Sequence, residues 1–370
     1  MSQDLERLKY AIVSPFHGGS HAYWAKGYRR HSEYEWDIYS LPDKYWKWRM
    51  YGASVHLAEQ LAQSGKIYDR ILTTDMLDLA LLKSLNSTVM PNAIYTLYMH
   101  ENQLVYPWSP TDRDPSLGRD HHYGFTNYTS ALVADQIIFN SDYHRQSFLD
   151  GVEALLQKMP DYRSMDTVKD IAAKSTVIGI GIDVPDLLVK PKSKTPRILW
   201  NHRWEYDKNP QLFFDTLLAI KQQGVHFELV ILGSKTSKVP PEFKDSIENL
   251  KENIVHVGYV QNRDDYLSLL ASCTHIPVTS NQDFFGISTV EGIAYGCMPL
   301  LPNRLAFVEH IDPQLHPICF YESDTEFRDK LIKQLIHQAD FKDYSSQMQK
   351  YQWSTIAKSM DETINLGAIE

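Results

Sequence analysis

Thr274-His275-Ile276-Pro277-Val278, followed after a short gap by Asp283-Phe284-Phe285-Gly286-Ile287-Ser288-Thr289-Val290-Glu291 and then Gly292-Ile293-Ala294-Tyr295, reads as a strand, a glycine-bearing loop and the start of a helix. A unit of that kind turns unpaired backbone N–H groups and the positive end of a helix dipole toward one point, where an anion binds. Two carboxylates, Asp283 and Glu291, stand eight positions apart in it. The spacing predicts Glu291 about two helical turns beyond Asp283. Acids so placed meet different ends of a long ligand whose phosphates lie at the helix tip, Asp283 the hydroxyls of a sugar and Glu291 a ribose. Backbone groups of Phe284, Phe285, Gly286 and Ile287 would hold phosphate and sugar oxygens. Acid–base catalysis of glycoside hydrolysis needs both carboxylates at one bond, which this spacing fits less well. The plainer alternative is a capping acid and an exposed helix acid.

Upstream, Arg197-Ile198-Leu199-Trp200 reads as a strand leading into Asn201-His202-Arg203-Trp204-Glu205-Tyr206-Asp207-Lys208-Asn209-Pro210. Proline is favoured in a first helical turn, so a helix is expected from about Pro210. Arg203 and Lys208 then project from a loop at the C-terminal edge of a strand, where open α/β sheets bind ligands. Two fixed cations there suit a diphosphate leaving group, whose growing charge needs positive charge already in place. Singly, each would pass for a surface charge of little consequence.

The same alternation of strand and helix runs through the whole chain, the signature of parallel βαβ units. Strands are expected at 10–14, 36–39, 70–74, 94–99, 136–140 and 176–180, with helices at 53–63, 77–85, 123–134 and 143–158 between them. A second set of strands is expected at 197–200, 227–232, 254–257, 275–279, 298–301 and 318–321. Between the two sets, residues 184–196 hold three prolines and three lysines, as an exposed connection would. The expected fold is α/β, with two doubly wound Rossmann-like domains, 1–185 and 197–353, facing a central ligand cleft.

The 370 residues are 43% hydrophobic and 12% aromatic, enough for two cores and unlike a disordered chain. Cys273, Cys297 and Cys319 are odd in number and lack metal-like spacing, which argues against a disulfide framework. The opening Met1-Ser2-Gln3-Asp4-Leu5-Glu6 has no apolar signal core, and no run of ~18 apolar residues occurs to span a bilayer. A soluble cytoplasmic protein with no membrane partner is expected, and no obligate protein partner is evident. Net charge is −9; a local basic patch can still serve a phosphate backbone, so the average neither supports nor excludes RNA.

In the first half, Phe16-His17-Gly18-Gly19-Ser20-His21 links the first strand to a helix. Glycines let backbone approach a phosphate or sugar closely, and Ser20 can cap the helix; an ordinary βα turn would look the same. His100-Glu101-Asn102 ends the strand at 94–99, where a histidine can orient a sugar or an acceptor by hydrogen bonding. A loop histidine bonded to water is the alternative. Asp75 could simply cap the helix that follows it. Lys44-Tyr45-Trp46-Lys47-Trp48-Arg49-Met50-Tyr51 interleaves cations with aromatics, as proteins that stack unpaired RNA bases do, or as a buried aromatic loop does. Arg119-Asp120-His121-His122-Tyr123 is a second candidate acceptor segment. Its paired histidines lack a third metal ligand at a recognisable spacing.

A loop Arg and Lys followed by acid-x-Phe-Gly-Ile-x-x-x-Glu resembles the donor site of the nucleotide-sugar-dependent glycosyltransferases of family 4, which have the GT-B fold. HGGSH, LPDKYWKWR, YMHENQLVYP and HRWEYDKNP extend the resemblance to the tRNA-queuosine mannosyltransferases, over roughly residues 10 to 340. The first acid of the motif is usually Glu in family 4 and is Asp283 here. The resemblance implies a retaining transfer of mannose from GDP-mannose to the queuosine base of a tRNA anticodon loop, with no metal and no other cofactor. It implies catalytic roles for Arg203, Lys208, His100 and Asp283. Donor contacts would come from Gly18, Gly19, Phe284, Phe285, Gly286, Ile287 and Glu291. Acceptor contacts would come from Lys44, Trp46, Lys47, Trp48, Arg49, Glu101, Asn102 and Arg119. It also implies that a helix over 354–370 crosses back to the first domain. A family 4 enzyme with a lipid or polysaccharide acceptor, or a non-catalytic nucleotide-sugar or RNA binder, are the competing expectations.

Overall fold

Near-continuous apolar runs such as Tyr10-Ala11-Ile12-Val13 form strands covered on both faces, as parallel sheets require. The computed structural model describes residues 8–118, 121–185, 192–233, 243–337 and 342–366. It divides into two compact units, Met1–Gly181 with Trp353–Glu370, and Ile182–Gln352.

The first unit runs β1 (Tyr10–His17), α1 (Gly19–His31), β2 (Trp36–Pro42), α2 (Trp46–Gln63), β3 (Arg70–Thr74), α3 (Leu79–Asn86), β4 (Ile94–Met99), α4 (His122–Val133), β5 (Gln136–Phe139), α5 (Asp142–Gln157), α6 (Asp166–Ala173) and β6 (Ser175–Val177). Its strands are parallel in the order β2-β1-β3-β4-β5-β6. Strand residues alternate between faces. Ala11, Val13, Ile71, Leu97 and Phe139 pack with Leu57, Leu61, Leu82 and Phe148. On the other face the ring of Tyr98 lies 4.2 Å from that of Trp24 in α1.

The second unit runs β7 (Arg197–Trp200), α7 (Pro210–Gln222), β8 (Glu228–Ile231), α8 (Lys244–Asn249), β9 (Ile254–Val257), α9 (Arg263–Ser272), β10 (His275–Pro277), α10 (Ile287–Ala294), β11 (Met298–Pro302), α11 (His316–Cys319), β12 (Phe320–Tyr321) and α12 (Asp324–Ile336). Its sheet is also parallel, in the order β12-β11-β10-β7-β8-β9. Trp200, Phe213, Phe214, Leu217, Ile231 and Phe327 fill its core.

The chain then returns: α13 (Trp353–Asn365) packs in the first unit. The Asp361 carboxylate accepts hydrogen bonds from the Tyr28 hydroxyl at 2.6 Å, the Ser32 hydroxyl at 2.7 Å and the Glu33 N–H at 2.8 Å. Trp353 stacks on His31 with ring centroids 5.5 Å apart.

Several local expectations change. The helix expected at 53–63 begins at Trp46, so the aromatic-basic segment forms its opening turns. The caps fall elsewhere too. Gly18, not Ser20, occupies the N-cap of α1, and Asp78, not Asp75, caps α3. The strand expected at 318–321 shortens to Phe320–Tyr321 because Ile318 belongs to α11. Much of the expected connection at 184–196 lies outside the described residues. Its Lys192 is not a solvated linker charge, since it donates to the Cys273 and Tyr295 carbonyls at 2.6 and 2.7 Å.

Candidate active site

Both sheets reverse their strand order at one place, and the loops beyond the strands' C-terminal ends at such a point make the ligand crevice of an open α/β sheet. In the second unit the reversal lies between β7 and β10. The loop after β7 carries Arg203 and Lys208, and the loop after β10 carries Asp283. Residues far apart in sequence are thereby brought together.

Lys208 ends a single 3-10 turn, Tyr206–Lys208, and is almost fully buried. Its ammonium donates to Asp283 at 2.9 Å, to Asp207 at 3.0 Å and to the Gln282 carbonyl at 2.7 Å. Burial works against the charge, but Asp283 and then Asp207 outweigh it, so the lysine is held above its ordinary range. The Thr279 hydroxyl fixes the same turn by donating to the Lys208 and Asn209 carbonyls. Asp283 keeps its second oxygen, Oδ2, buried with no hydrogen-bond partner among the described residues. A buried acceptor left open in this way is a place for a ligand hydroxyl. Arg203 is half exposed and pairs with Glu205 at 3.1 Å.

Phe284 and Phe285 are buried. Gly286 caps α10 at φ 75°, and a Cβ there would stand 2.8 Å from Phe307. Both facts favour glycine, which alone reaches this left-handed conformation without cost. Glu291 lies in the second turn of α10, closer to the helix start than the expected two turns beyond Asp283, because Asp283 precedes the helix on a loop. Its buried carboxylate accepts from Arg263 and, at 3.0 Å, from the Tyr266 hydroxyl. Burial and the Glu291 charge raise the Tyr266 pKa well above the usual tyrosine value.

Sequence reasoning missed this Arg263–Tyr266 pair, whose only local signal is the Asn262 cap opening α9. It missed two histidines as well. His202 meets the Ser288 hydroxyl through Nδ1 at 3.0 Å, and burial lowers its pKa to about 4. Its Nε2 has no hydrogen-bond partner among the described residues. His310 lies 2.7 Å from the Phe285 carbonyl and 2.9 Å from the Tyr351 hydroxyl, and burial lowers it to about 4. His202 stood beside Arg203 in the quoted motif. Nothing in the sequence around His310 pointed to Phe285.

In the first unit the reversal lies between β1 and β3. Gly18 follows β1, and a Cβ on it would collide with the Asp43 carboxylate. Asp75 follows β3, fully buried, and accepts the His100 N–H at 2.8 Å. Burial and the Glu101 charge raise the Asp75 pKa well above the ordinary aspartate value, against the pull of these N–H bonds. Asp75 therefore holds the loop after β4 and is not a helix cap. The His100 ring lies 4.4 Å from that of His21 and 4.8 Å from that of Trp24. Burial, then His21 and His144, push its pKa well below that of a free histidine, so it is neutral at physiological pH. Its Nε2 is buried with no partner among the described residues.

The expected acceptor residues separate. Trp46 is packed 5.0 Å from the ring of Tyr123, and Lys47 is paired with Asp112 at 2.7 Å and with Asp114. Arg49 donates to the Pro42 carbonyl at 3.1 Å, and Glu101 accepts from Gln103 at 2.8 Å. Asn102 is fully buried and its side-chain oxygen accepts the Leu104 and Val105 N–H groups, so it builds its loop and presents no surface. Trp48 and Lys44 are exposed. Arg119 lies outside the described residues.

Comparison with known proteins supplies the context for these two sites. Residues 9–182 match the model of the tRNA-queuosine alpha-mannosyltransferase N-terminal domain, and residues 189–352 match that of glycosyl transferases group 1. A tRNA-queuosine alpha-mannosyltransferase of Drosophila melanogaster is 31% identical over 320 residues, covering 83% of this chain and 81% of that protein. A human alpha-1,3/1,6-mannosyltransferase is 26% identical over 50% of this chain and 46% of its own. Among solved structures, Thermosynechococcus elongatus sucrose-phosphate synthase aligns with a TM-score of 0.70 at 16% identity, over 98% of this chain and all of its own. Anabaena HepE in complex with UDP aligns at 0.64 and 15% identity, with the same shares. These likenesses and the two parallel six-stranded sheets make the fold GT-B. By its matched domains and its kinship with the fly enzyme, the chain belongs to the tRNA-queuosine alpha-mannosyltransferase family of glycosyltransferases.

Proposed function

We propose that this glycosyltransferase moves mannose from GDP-mannose to queuosine in the anticodon loop of a tRNA, with retention at the sugar carbon, in the cytoplasm and without a metal ion. The observation that carries the reading is the Lys208–Asp283 pair, built at the strand-order reversal of a domain whose family transfers sugars. No helix among the described residues is long and apolar enough to cross a membrane, which agrees with a tRNA acceptor better than with a lipid one.

In the second unit, Lys208 and Arg203 face the departing diphosphate, with the N-terminal end of α10 adding N–H groups. The open Oδ2 of Asp283 accepts a mannose hydroxyl, and Glu291 takes the ribose as Arg263 and Tyr266 yield part of its carboxylate. In the first unit, taken by itself, Gly18 and Gly19 allow a phosphate or sugar to approach the backbone closely, and neutral His100 offers its Nε2 to a sugar hydroxyl. The bond from the anomeric carbon to the diphosphate oxygen breaks. A bond to a queuosine hydroxyl forms on the same face, and the hydroxyl proton passes to the leaving diphosphate.

Purified protein incubated with tRNA containing or lacking queuosine, a panel of nucleotide sugars and a chelator tests this by mass spectrometry. A hexose gain on queuosine tRNA, largest with GDP-mannose and undiminished by the chelator, is expected. Transfer confined to another acceptor, or dependent on added metal, would overturn the corresponding part of the reading.

A further inference from the structure

We propose that one face of α2, with the cavity beside the start of α4, is a stacking surface for unpaired bases of an RNA. The inference rests on the tRNA acceptor proposed above and locates where the first unit holds that RNA. Tyr45, Trp48, Tyr51 and Val55 are 77%, 56%, 44% and 42% exposed. Their spacing brings them to one side of the helix, while Met50, Ala53, Leu57 and Leu61 on the other side are buried. A contiguous row of exposed rings on a folded domain marks an interaction surface. The row continues into a cavity of about 470 Å³ lined by Tyr51, Phe125, His121, His122, Leu155 and Met159, with Phe125 44% exposed. That volume lies within the usual ligand-pocket range of about 300–1,000 Å³.

Chemistry selects the occupant. The chain carries 46 acidic residues against 37 basic ones, yet no described residue lining the cavity is a carboxylate. Nearby, Lys47 pairs with both Asp112 and Asp114 and offsets one of their two charges, and Lys44 stands exposed at the head of the row. Flat rings with polar tips and imidazoles, beside cations, are how unpaired bases are held through their π-faces while the backbone stays wet. Position agrees as well. α2 follows β2 and α4 follows the loop after β4, so their first turns lie at the same sheet edge as Gly18 and His100. Of the residues that the sequence assigned to the acceptor, Lys44 and Trp48 lie on this face while Trp46 and Lys47 turn to Tyr123, Asp112 and Asp114; Phe125, which the sequence did not single out, joins them.

The test uses the full chain with Phe125→Ala, Phe125→Trp and Trp48→Ala. Affinity is measured for tRNA with and without queuosine, and slow hydrolysis of the nucleotide sugar serves as a folding control. Loss of one stacked base is expected to weaken both tRNAs by roughly five-fold or more. KM for tRNA should rise accordingly, while kcat and donor hydrolysis hold. Phe125→Trp should bind like the unchanged chain. Should Phe125→Ala lose hydrolysis through misfolding, Trp48→Ala, truncated on the exposed side, decides alone. Unchanged tRNA binding by the alanine variants overturns the inference even if mannose transfer is intact. Variants that alter only the sedimenting mass also overturn it, by assigning the face to a second copy. Variant-sensitive RNA binding by a protein that transfers no mannose upholds the inference and overturns the proposed activity.

Discussion

Lys208→Met removes the ammonium between Asp207 and Asp283 while keeping most of the side-chain volume. At 3.0 and 2.9 Å, each contact is worth roughly 5–6 kcal/mol of gross attraction at an effective dielectric of about 20. Desolvation of the three groups cancels most of this. The cost of deleting one partner is the cost of the buried acids left behind, about 3–5 kcal/mol. All three groups are largely buried, so solvent screening takes little from that figure. Urea unfolding read by hydrogen exchange in peptides from β7, β10 and α10 measures the second unit by itself. Adding Asp207→Asn and Asp283→Asn to Lys208→Met should restore most of the lost stability, because no buried charge then lacks a counterpart. Transfer should stay down by about 10²-fold or more, since the cation facing the diphosphate is still missing. The lysine's folded pKa is raised, so its contribution is fully present below the ordinary lysine value of about 10.4 and is lost only as pH rises through the folded value. Titration of the lysine itself should therefore add no pH dependence to the unchanged chain between pH 6 and 9. A loss under ~1 kcal/mol, or a triple variant no more stable than the single one, would refute the reasoning.

Arg203→Ala should add about 2.7–4 kcal/mol to the transfer barrier yet leave urea unfolding nearly unchanged, because the side chain is half exposed and its Glu205 pair is a surface one; turnover within a few-fold of the unchanged chain would remove it from the chemistry. Gly286→Ala must enter a left-handed backbone conformation at a cost of about 1–2 kcal/mol and displace Phe307, so both the thermal midpoint and donor affinity should fall; a variant with normal affinity would detach the α10 start from the donor. Buried His144, His202 and His310 have pKa values lowered to about 3, 4 and 4. Their contribution is present above the unfolded value of about 6.5 and is lost as pH falls toward the folded values, at up to about 1.4 kcal/mol per pH unit for each. His310→Gln should flatten the acid limb of the stability profile by one such step, and an unchanged slope between pH 6 and 4 would count against its neutral burial.

The elements legible in the sequence are those whose cause is local. Arg197–Trp200 and the helix from Pro210 are written in an apolar run and a proline at a first helical turn. The loop and helix from Asp283 to Glu291 are written in the glycine that caps α10. What stayed hidden depends on which loops the sheet order places side by side. Lys208 was assigned to the diphosphate and Asp283 to the sugar hydroxyls, and it is the pairing of β7 with β10 that puts them in contact. Arg263 comes to Glu291 because α9 packs beside α10. The aromatic-basic segment was read as one patch because its helix was expected to begin later. Once α2 starts at Trp46, successive residues turn about 100° around the helix axis, which takes Lys47 toward Asp112 and Trp48 toward solvent.

The return of α13 to the first unit has a consequence for biosynthesis. Among the described residues, Tyr28, Ser32 and the Glu33 N–H obtain their carboxylate partner from Asp361, which leaves the ribosome after the entire second unit. At about 5–20 residues per second, the nascent first unit waits on the order of ten seconds or longer with the α1 face uncovered. The second unit, contiguous in the chain, can finish folding during that interval. Completion of the two domains is thus inverted in time relative to their start, and translation pauses or nonsense changes before the codons of α13 would be felt by the domain that was started first.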